Sequence, residues 1–413
     1  MLSARYRFAG LASAVDREVA QLVADDVAAR FWERDSTVFG EEPTEIADRM
    51  GWFDAPNDSL DMWAQLEGFA AEVCELADDV IVMGMGGSSL FPEVLAKTFG
   101  NAPGHPRLHV LDSTDADAIR RVLAATDPSR SFYIASSKSG TTLETRSQLD
   151  LFWAASGDPE RFAVITDPDS ALERLADERG FAHVFRNDPD IGGRFAALSL
   201  FGMVPAAVLG VDGESILEAS LDLADALEPL DDGDNVGIVL GAFLGAAAKA
   251  GREQLTVAID PRIETFGLWL EQLVAESTGK HGVGVVPVIG EPLEAILASP
   301  QRRIVAVIGE VEGIDALRAM KVPIVELSLE ETVDLGAHVL LWEYATAIAG
   351  RVLGLNPFDQ PDVESAKRAA RALMDADAPV SPEPVPLADA LEMIEPTDTV
   401  AVCAFVDPDG VQA

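Results

Sequence analysis

Short apolar runs recur through the middle of this chain, each broken by glycine or polar residues and followed by apolar positions at helical spacing. Val80–Met83, Leu108–Leu111, Phe132–Ala135 and Phe162–Ile165 read as strands. The helices that follow them run through Lys97, from about Asp115 to Leu123, after Thr142 and after Asp169. Strands alternating with helices of this length predict a parallel, doubly wound α/β sheet. That unit ends near Leu209. The apolar run from Phe195 to Val211 carries Ser199, Pro205 and two glycines; it is short for a membrane span and reads as a buried helix. The rhythm then repeats: an Ala/Gly-rich helix (Val236–Ala250), a strand (Leu255–Ile259) and a helix (Phe266–Glu276). Strands follow near Val283–Val288, Ile304–Ile308 and Ile324–Leu327, then long helices from about Val333 to Leu353 and from Pro361 to Met374.

The predicted organisation is an N-terminal helical cap (1–75), a first α/β domain (76–212), a second (234–355) and a C-terminal helical segment with a tail (356–413). The boundary between the two domains is placed in the acidic helix and turn from Glu214 to Asp234. In the cap, Val15 to Phe31 has apolar residues at helical spacing. In the Pro-rich, acidic tail, Thr399 to Phe405 is a candidate strand. The two α/β units share a layout without sharing sequence, a pseudo-repeat.

Charge changes the picture. Seventy acidic residues face thirty basic ones for a net charge of −40, and only six residues are Lys. Such a surface stays hydrated in concentrated salt, where screening removes the self-repulsion of so charged a fold. We therefore expect a halophilic, cytoplasmic protein. Acid spread along the chain also argues against binding nucleic acid or an anionic membrane. Cys74 and Cys403 lack a CxxC partner and read as reduced core thiols, and the first residues show no signal-peptide pattern. The five histidines are scattered, so no metal is expected, and no cofactor is called for.

Two loops stand out. Residues 84–89 (GMGGSS) follow a strand and precede a helix, but Ser89 replaces the third glycine of a dinucleotide fingerprint, and no acidic residue follows at the required distance. What survives is a glycine turn that brings Gly87 and the Ser88 hydroxyl close to a ligand. The second loop holds Ser136, Ser137, Lys138, Ser139, Gly140, Thr141 and Thr142 between a strand and a helix. Short donors, free N–H groups and one cation suit a phosphate. An ordinary capped βα turn is the alternative. Further on, Gly192, Gly193 and Arg194 precede an apolar helix. From spacing alone Arg194 is either tied to a structural carboxylate, slightly the better reading, or aimed at a developing negative charge. Glu276 ends an apolar helical face, where a solvated carboxylate is the commoner case. Gln360 lies just before a helix start and Lys367 inside that helix, where a surface charge is the ordinary reading.

Taken together and in this order, GMGGSS, SSKSGTT, IGGRF, AESTGK and NPFDQPDVESAK resemble the glucose-6-phosphate isomerase family, in a compact haloarchaeal-like form, from about Val80 to Leu373. The resemblance implies two sugar-isomerase (SIS) α/β domains, a dimer with its active site at the subunit and domain junction, and aldose–ketose isomerisation of a sugar 6-phosphate without metal or cofactor. It implies that Ser88, Ser137, Lys138, Ser139 and Thr142, with Gly87 and Gly193 in the tight turns, bind the substrate's phosphate. It also implies that Arg194 stabilises a cis-enediolate and that Glu276 moves the proton between C2 and C1. Gln360 and Lys367 match the closing motif, in which the Lys assists at the ring oxygen. The family's ring-opening His has no clear match, leaving His281 and His338 to be weighed; Ala196 and Asp362 are lesser departures. An isomerase of another sugar phosphate, such as mannose 6-phosphate, and a SIS-domain sensor that binds without turnover are the rival readings. Retention of both Glu276 and Arg194 argues against the sensor.

Overall fold

The computed structural model describes residues 2–228, 235–298, 300–374 and 385–395. Two five-stranded sheets flank a shared helical layer. In the first, strands β2 (Asp79–Met83), β3 (Arg107–Leu111), β4 (Ser131–Ser136), β5 (Phe162–Thr166) and β6 (His183–Arg186) are all parallel, in the order β3-β2-β4-β5-β6. Every residue of β2, β4 and β5 is buried, as expected for strands covered on both faces.

The second sheet uses β7 (Gln254–Ile259), β8 (Val286–Ile289), β9 (Arg303–Ile308) and β10 (Ile324–Leu327). Their parallel order, β8-β7-β9-β10, repeats that of β3-β2-β4-β5. The expected pseudo-repeat is thus a repeat of topology. Its fifth strand differs: β1 (Ala4–Arg7) closes the edge by pairing antiparallel with β10. The region read as a mostly helical cap therefore begins with a strand of the second sheet. Four residues are too few for a period-2 signal, and only the partner strand reveals them.

The rest of the N-terminal region is helical, over Ala12–Ala24, Val27–Trp32 and Ala55–Leu76, with a break at Asp26 in the left-handed region (φ +54°). The helix Gly213–Leu227, read as an interdomain boundary, packs on both Ala55–Leu76 and Leu335–Leu353. One continuous apolar core accordingly runs from Val80 and Ile134 of the first sheet through Trp269 and Tyr344 to Val325 of the second. The apolar run after Phe195 becomes the helix Leu200–Leu209, buried at all ten positions. Cys74 is only partly buried, with its Sγ 3.6 Å from His105 Nδ1. Cys403 and the Thr399–Phe405 candidate strand lie outside the described residues. Among the described residues no helix is long and apolar enough to cross a membrane.

Candidate active site

Strands β2 and β4 are hydrogen-bonded neighbours, with Met83 opposite Ala135, and the strand order reverses between them. The loops after both strands therefore emerge side by side at the switch point, where open α/β sheets bind ligands. In the first, Gly86–Ser88 forms a 3-10 turn with Gly86 at φ +55°. A Cβ on Gly87 would stand 1.8 Å from the carbonyl oxygen of Gly193. Only glycine permits this backbone-on-backbone contact, and the contact presses the turn against the segment that carries Arg194.

The second loop is a closed hydroxyl network. Ser137 Oγ lies 3.1 Å from Thr142 Oγ1 and accepts from the Gly140 N–H at 3.2 Å. Ser139 Oγ lies 2.8 Å from Thr141 Oγ1 and accepts from the Thr141 N–H. Gly140, at φ +68°, packs where a Cβ would meet the Leu172 N–H at 2.2 Å. Thr142 caps the helix Leu143–Ser156 by position, without a side-chain hydrogen bond to its first turn. The hydroxyls are thus paired with one another, and an anion at the helix start can exchange those pairs for its own oxygens. Lys138 is committed elsewhere: its Nζ donates to Asp167 Oδ2 and to the Pro189 carbonyl, each at 2.6 Å. Burial raises the Asp167 carboxyl, and the Lys138 ammonium opposes that rise.

Arg194 and Glu276 meet. The guanidinium, 3% exposed, donates from Nη1 to Glu276 Oε1 at 3.2 Å and from Nε to Ser277 Oγ at 2.8 Å. Its Nη2 donates to the carbonyls of Pro357 (2.6 Å) and Asp359 (3.1 Å). A guanidinium has five N–H donors, so one Nη1 proton remains without an acceptor among the described residues. The Arg194 carbonyl accepts from Trp269 Nε1 at 3.1 Å, which ties the glycine turn to the helix Phe266–Thr278 that carries Glu276. Burial lowers the Arg194 pKa, and Glu276 and Asp359 raise it. Of the two readings the sequence left open for Arg194, the structure shows a carboxylate partner, Glu276.

The other expected residues divide. Gln360 is half-buried at the end of the loop that Arg194 holds, whereas Lys367 lies on the exposed face of the helix Pro361–Met374. His338 is fully buried, bonded through Nε2 to the Ser328 carbonyl, and desolvation drives its pKa down to about 4. Its burial places it in the packing of its helix. His281 is exposed, at φ +55°, on the turn after the helix Phe266–Thr278.

Sequence reasoning missed Gln272, whose Nε2 donates to Glu276 Oε2 at 3.2 Å and stands 2.8 Å from where a Gly86 Cβ would be. Its signal was the i, i+4 spacing to Glu276. It also assigned no role to Lys280 and Asp359, a pair at 2.5 Å with the Lys side chain buried and the Asp half-buried, although both fall inside the quoted motifs.

Residues 65–286 match the sequence profile of the family described as phosphoglucose isomerase. Among curated relatives, the glucose-6-phosphate isomerase of Rubrobacter xylanophilus is 27% identical, with 80% of this chain and 90% of that protein covered. A probable glucose-6-phosphate isomerase of Haloarcula marismortui is 28% identical, over 90% of this chain and 94% of its own length. A hypothetical protein from Thermus thermophilus has a similar solved fold, with a TM-score of 0.76 and 24% identity over 91% of this chain and 100% of that one. The glucose-6-phosphate isomerase of Chlamydia trachomatis follows with a TM-score of 0.67 and 20% identity, over 90% and 88% of the two chains.

Proposed function

The chain belongs to the phosphoglucose isomerase family, and from that premise we infer that it interconverts glucose 6-phosphate and fructose 6-phosphate. Its two sheets are SIS-type domains. The observation that carries the residue-level reading is the contact of Arg194 with Glu276, set directly behind the glycine turn of the phosphate loops.

In this reading the phosphate sits at the β2/β4 switch point, taking hydrogen bonds from Ser88, Ser137, Ser139 and Thr142 while Gly87 and Gly193 let the backbone approach. Lys138 contributes charge from the side and, through Asp167 and the Pro189 carbonyl, stiffens its loop. Anchoring the phosphate fixes C1 and C2 against one carboxylate. Glu276 takes the C2 proton of the open-chain aldose, and a cis-enediolate forms with its charge against the remaining Nη1 proton of Arg194. With the hydroxyl proton passed from O2 to O1 in the enediolate, returning the abstracted proton to C1 from the same face completes the ketose. Gln272 holds the second Glu276 oxygen. Gln360 closes the site beside the loop bound by Arg194. Lys367, which the family resemblance assigns to the ring oxygen, needs its exposed helix to be covered for that role.

A second copy of the chain supplies such a cover. Leu373, Met374, Leu387, Leu391 and Met393 are exposed apolar side chains in or near that helix in sequence, which supports a homodimer. The net charge of −40 supports a salt-adapted cytoplasmic enzyme acting in sugar-phosphate metabolism in either direction. The reading is tested by coupled turnover of fructose 6-phosphate in molar salt, wild type beside Glu276→Gln. The variant is expected to bind sugar phosphate and to lose about 10²–10⁴-fold in kcat. Undiminished turnover would remove Glu276 as the base, and mannose 6-phosphate run in parallel tests the wider substrate range.

A further inference from the structure

The loop Asn356–Gln360 is held by two buried cations that reach it from opposite sides of the site. Arg194, at the end of the first domain, donates to the Pro357 and Asp359 carbonyls. Lys280, on the turn just beyond the base helix, donates to the Asn356 carbonyl and pairs with the Asp359 carboxylate at 2.5 Å. Both cationic side chains are 3% exposed. The N-terminal region completes the fixture. Phe358 packs edge-on to Phe39 with ring centroids 5.1 Å apart and lies 5.3 Å from Phe195, while Asn356 Nδ2 donates to the Glu45 carbonyl. Contacts thus close a ring: Arg194 to Glu276, along the helix end to Lys280, across to Asp359, and through that residue's carbonyl back to Arg194.

The ring decides what Arg194 can do. A guanidinium beside a lone carboxylate takes it with two parallel N–H bonds. Here both Nη2 protons are taken by loop carbonyls, so Glu276 receives one bond, from Nη1, and the second Nη1 proton stays available. The cluster is also charge-balanced, with Arg194 and Lys280 against Glu276 and Asp359. Removing Lys280 leaves Asp359 as an uncompensated carboxylate beside Arg194, which is then drawn off its position.

We propose that the Lys280–Asp359 ion pair is the positioning device of this site: it fixes the Asn356–Gln360 loop so that Arg194 holds Glu276 through one bond and keeps one donor for the enediolate oxygen. The proposal rests on the isomerase reading above and goes beyond it by assigning two residues that need never touch the substrate. Because the phosphate loops lie on the other side of Arg194, the pair acts on turnover and leaves substrate anchoring intact.

The test uses the full-length protein in molar salt with fructose 6-phosphate, comparing Lys280→Met, Asp359→Asn and the double variant, each corrected for its folded fraction. Each single variant is expected to lose about 10–100-fold in kcat with KM within about twofold of wild type. The double variant is expected to be no worse than the poorer single one. The isotope effect on kcat with glucose 6-phosphate deuterated at C2 should rise in both, since proton transfer becomes slower relative to binding and release. Wild-type kcat per folded molecule with only a lowered melting temperature, or losses that multiply in the double variant, would overturn the proposal. Should Lys280→Met not fold, Asp359→Asn decides it, because Asn keeps a hydrogen-bond acceptor for the ammonium. A wild type that fails to isomerise would instead overturn the functional reading, so the two failures are distinguishable.

Discussion

The two sheets share the order of four parallel strands, yet among the described residues their switch points are lined differently. Between β2 and β4 the loops are made of glycines and short hydroxyl side chains that bond mainly to one another. At the equivalent place, between β7 and β9, Asp260 donates its N–H to the Ile308 carbonyl, and its carboxylate accepts from Arg262 Nε and Nη2 and from the Glu310 N–H. Arg262 then reaches the carbonyls of Leu329 and Glu330. A charged plug therefore occupies the second crevice. The second domain contributes from the element that follows, the helix bearing Glu276. Repeating a doubly wound sheet repeats the crevice but not its lining: hydroxyl pairs stand beside the Lys138–Asp167 ion pair at the first, and the Asp260–Arg262 ion pair spans the second.

The comparison breaks most severely at Gly87. A Cβ there meets the Gly193 carbonyl at 1.8 Å, backbone against backbone, with no flexible side chain to yield. Gly87→Val is expected to lose more than about 10²-fold in kcat/KM and several degrees in Tm, read by steady-state kinetics beside thermal unfolding. An unchanged kcat/KM would show that the turn does not define the site. A gentler probe is Ser137→Ala with Thr142→Ala. On the proposed reading each removes a hydrogen bond to the substrate's phosphate, so KM should rise about tenfold or more while kcat holds within a few-fold. A fall confined to kcat would put these hydroxyls at the reacting carbons instead.

The smallest expected effect lies at the plugged crevice. The Arg262 guanidinium, with two backbone N–H groups, holds the Asp260 carboxyl down at about 2 from an ordinary 3.8. A depressed carboxyl stabilises the fold above its unfolded value and loses that contribution as pH falls toward 2. Arg262 is partly exposed, which screens the pair. Asp260→Asn should therefore cost about 1–2 kcal/mol near pH 7, and the cost should shrink between about pH 4 and 2. Denaturant unfolding at several pH values reads this directly. Turnover per folded molecule should match wild type, and a kinetic defect would mean that the second crevice serves the reaction after all.

Salt dependence gives one further measurement, on the molecule as a whole. With a net charge of −40, stability should rise with added salt as self-repulsion is screened. Full stability at low ionic strength would refute the salt-adapted reading.

By itself the sequence determined the doubly wound sheets, the two phosphate-type loops and the chain order of the motifs. Each of these is local: apolar runs, glycine turns and helix starts are written within a few neighbouring residues. It could not show β1, because a four-residue strand acquires its identity from β10, more than three hundred positions away. It could not show that Lys138 is turned toward Asp167, since a cation's partner is chosen by what folds next to it. Nor could spacing choose between the two readings of Arg194, because its acceptors come from the base helix and from the loop beyond Leu355. In a dry interior the donors of a guanidinium need acceptors, and only the assembled tertiary structure decides which acceptors are supplied.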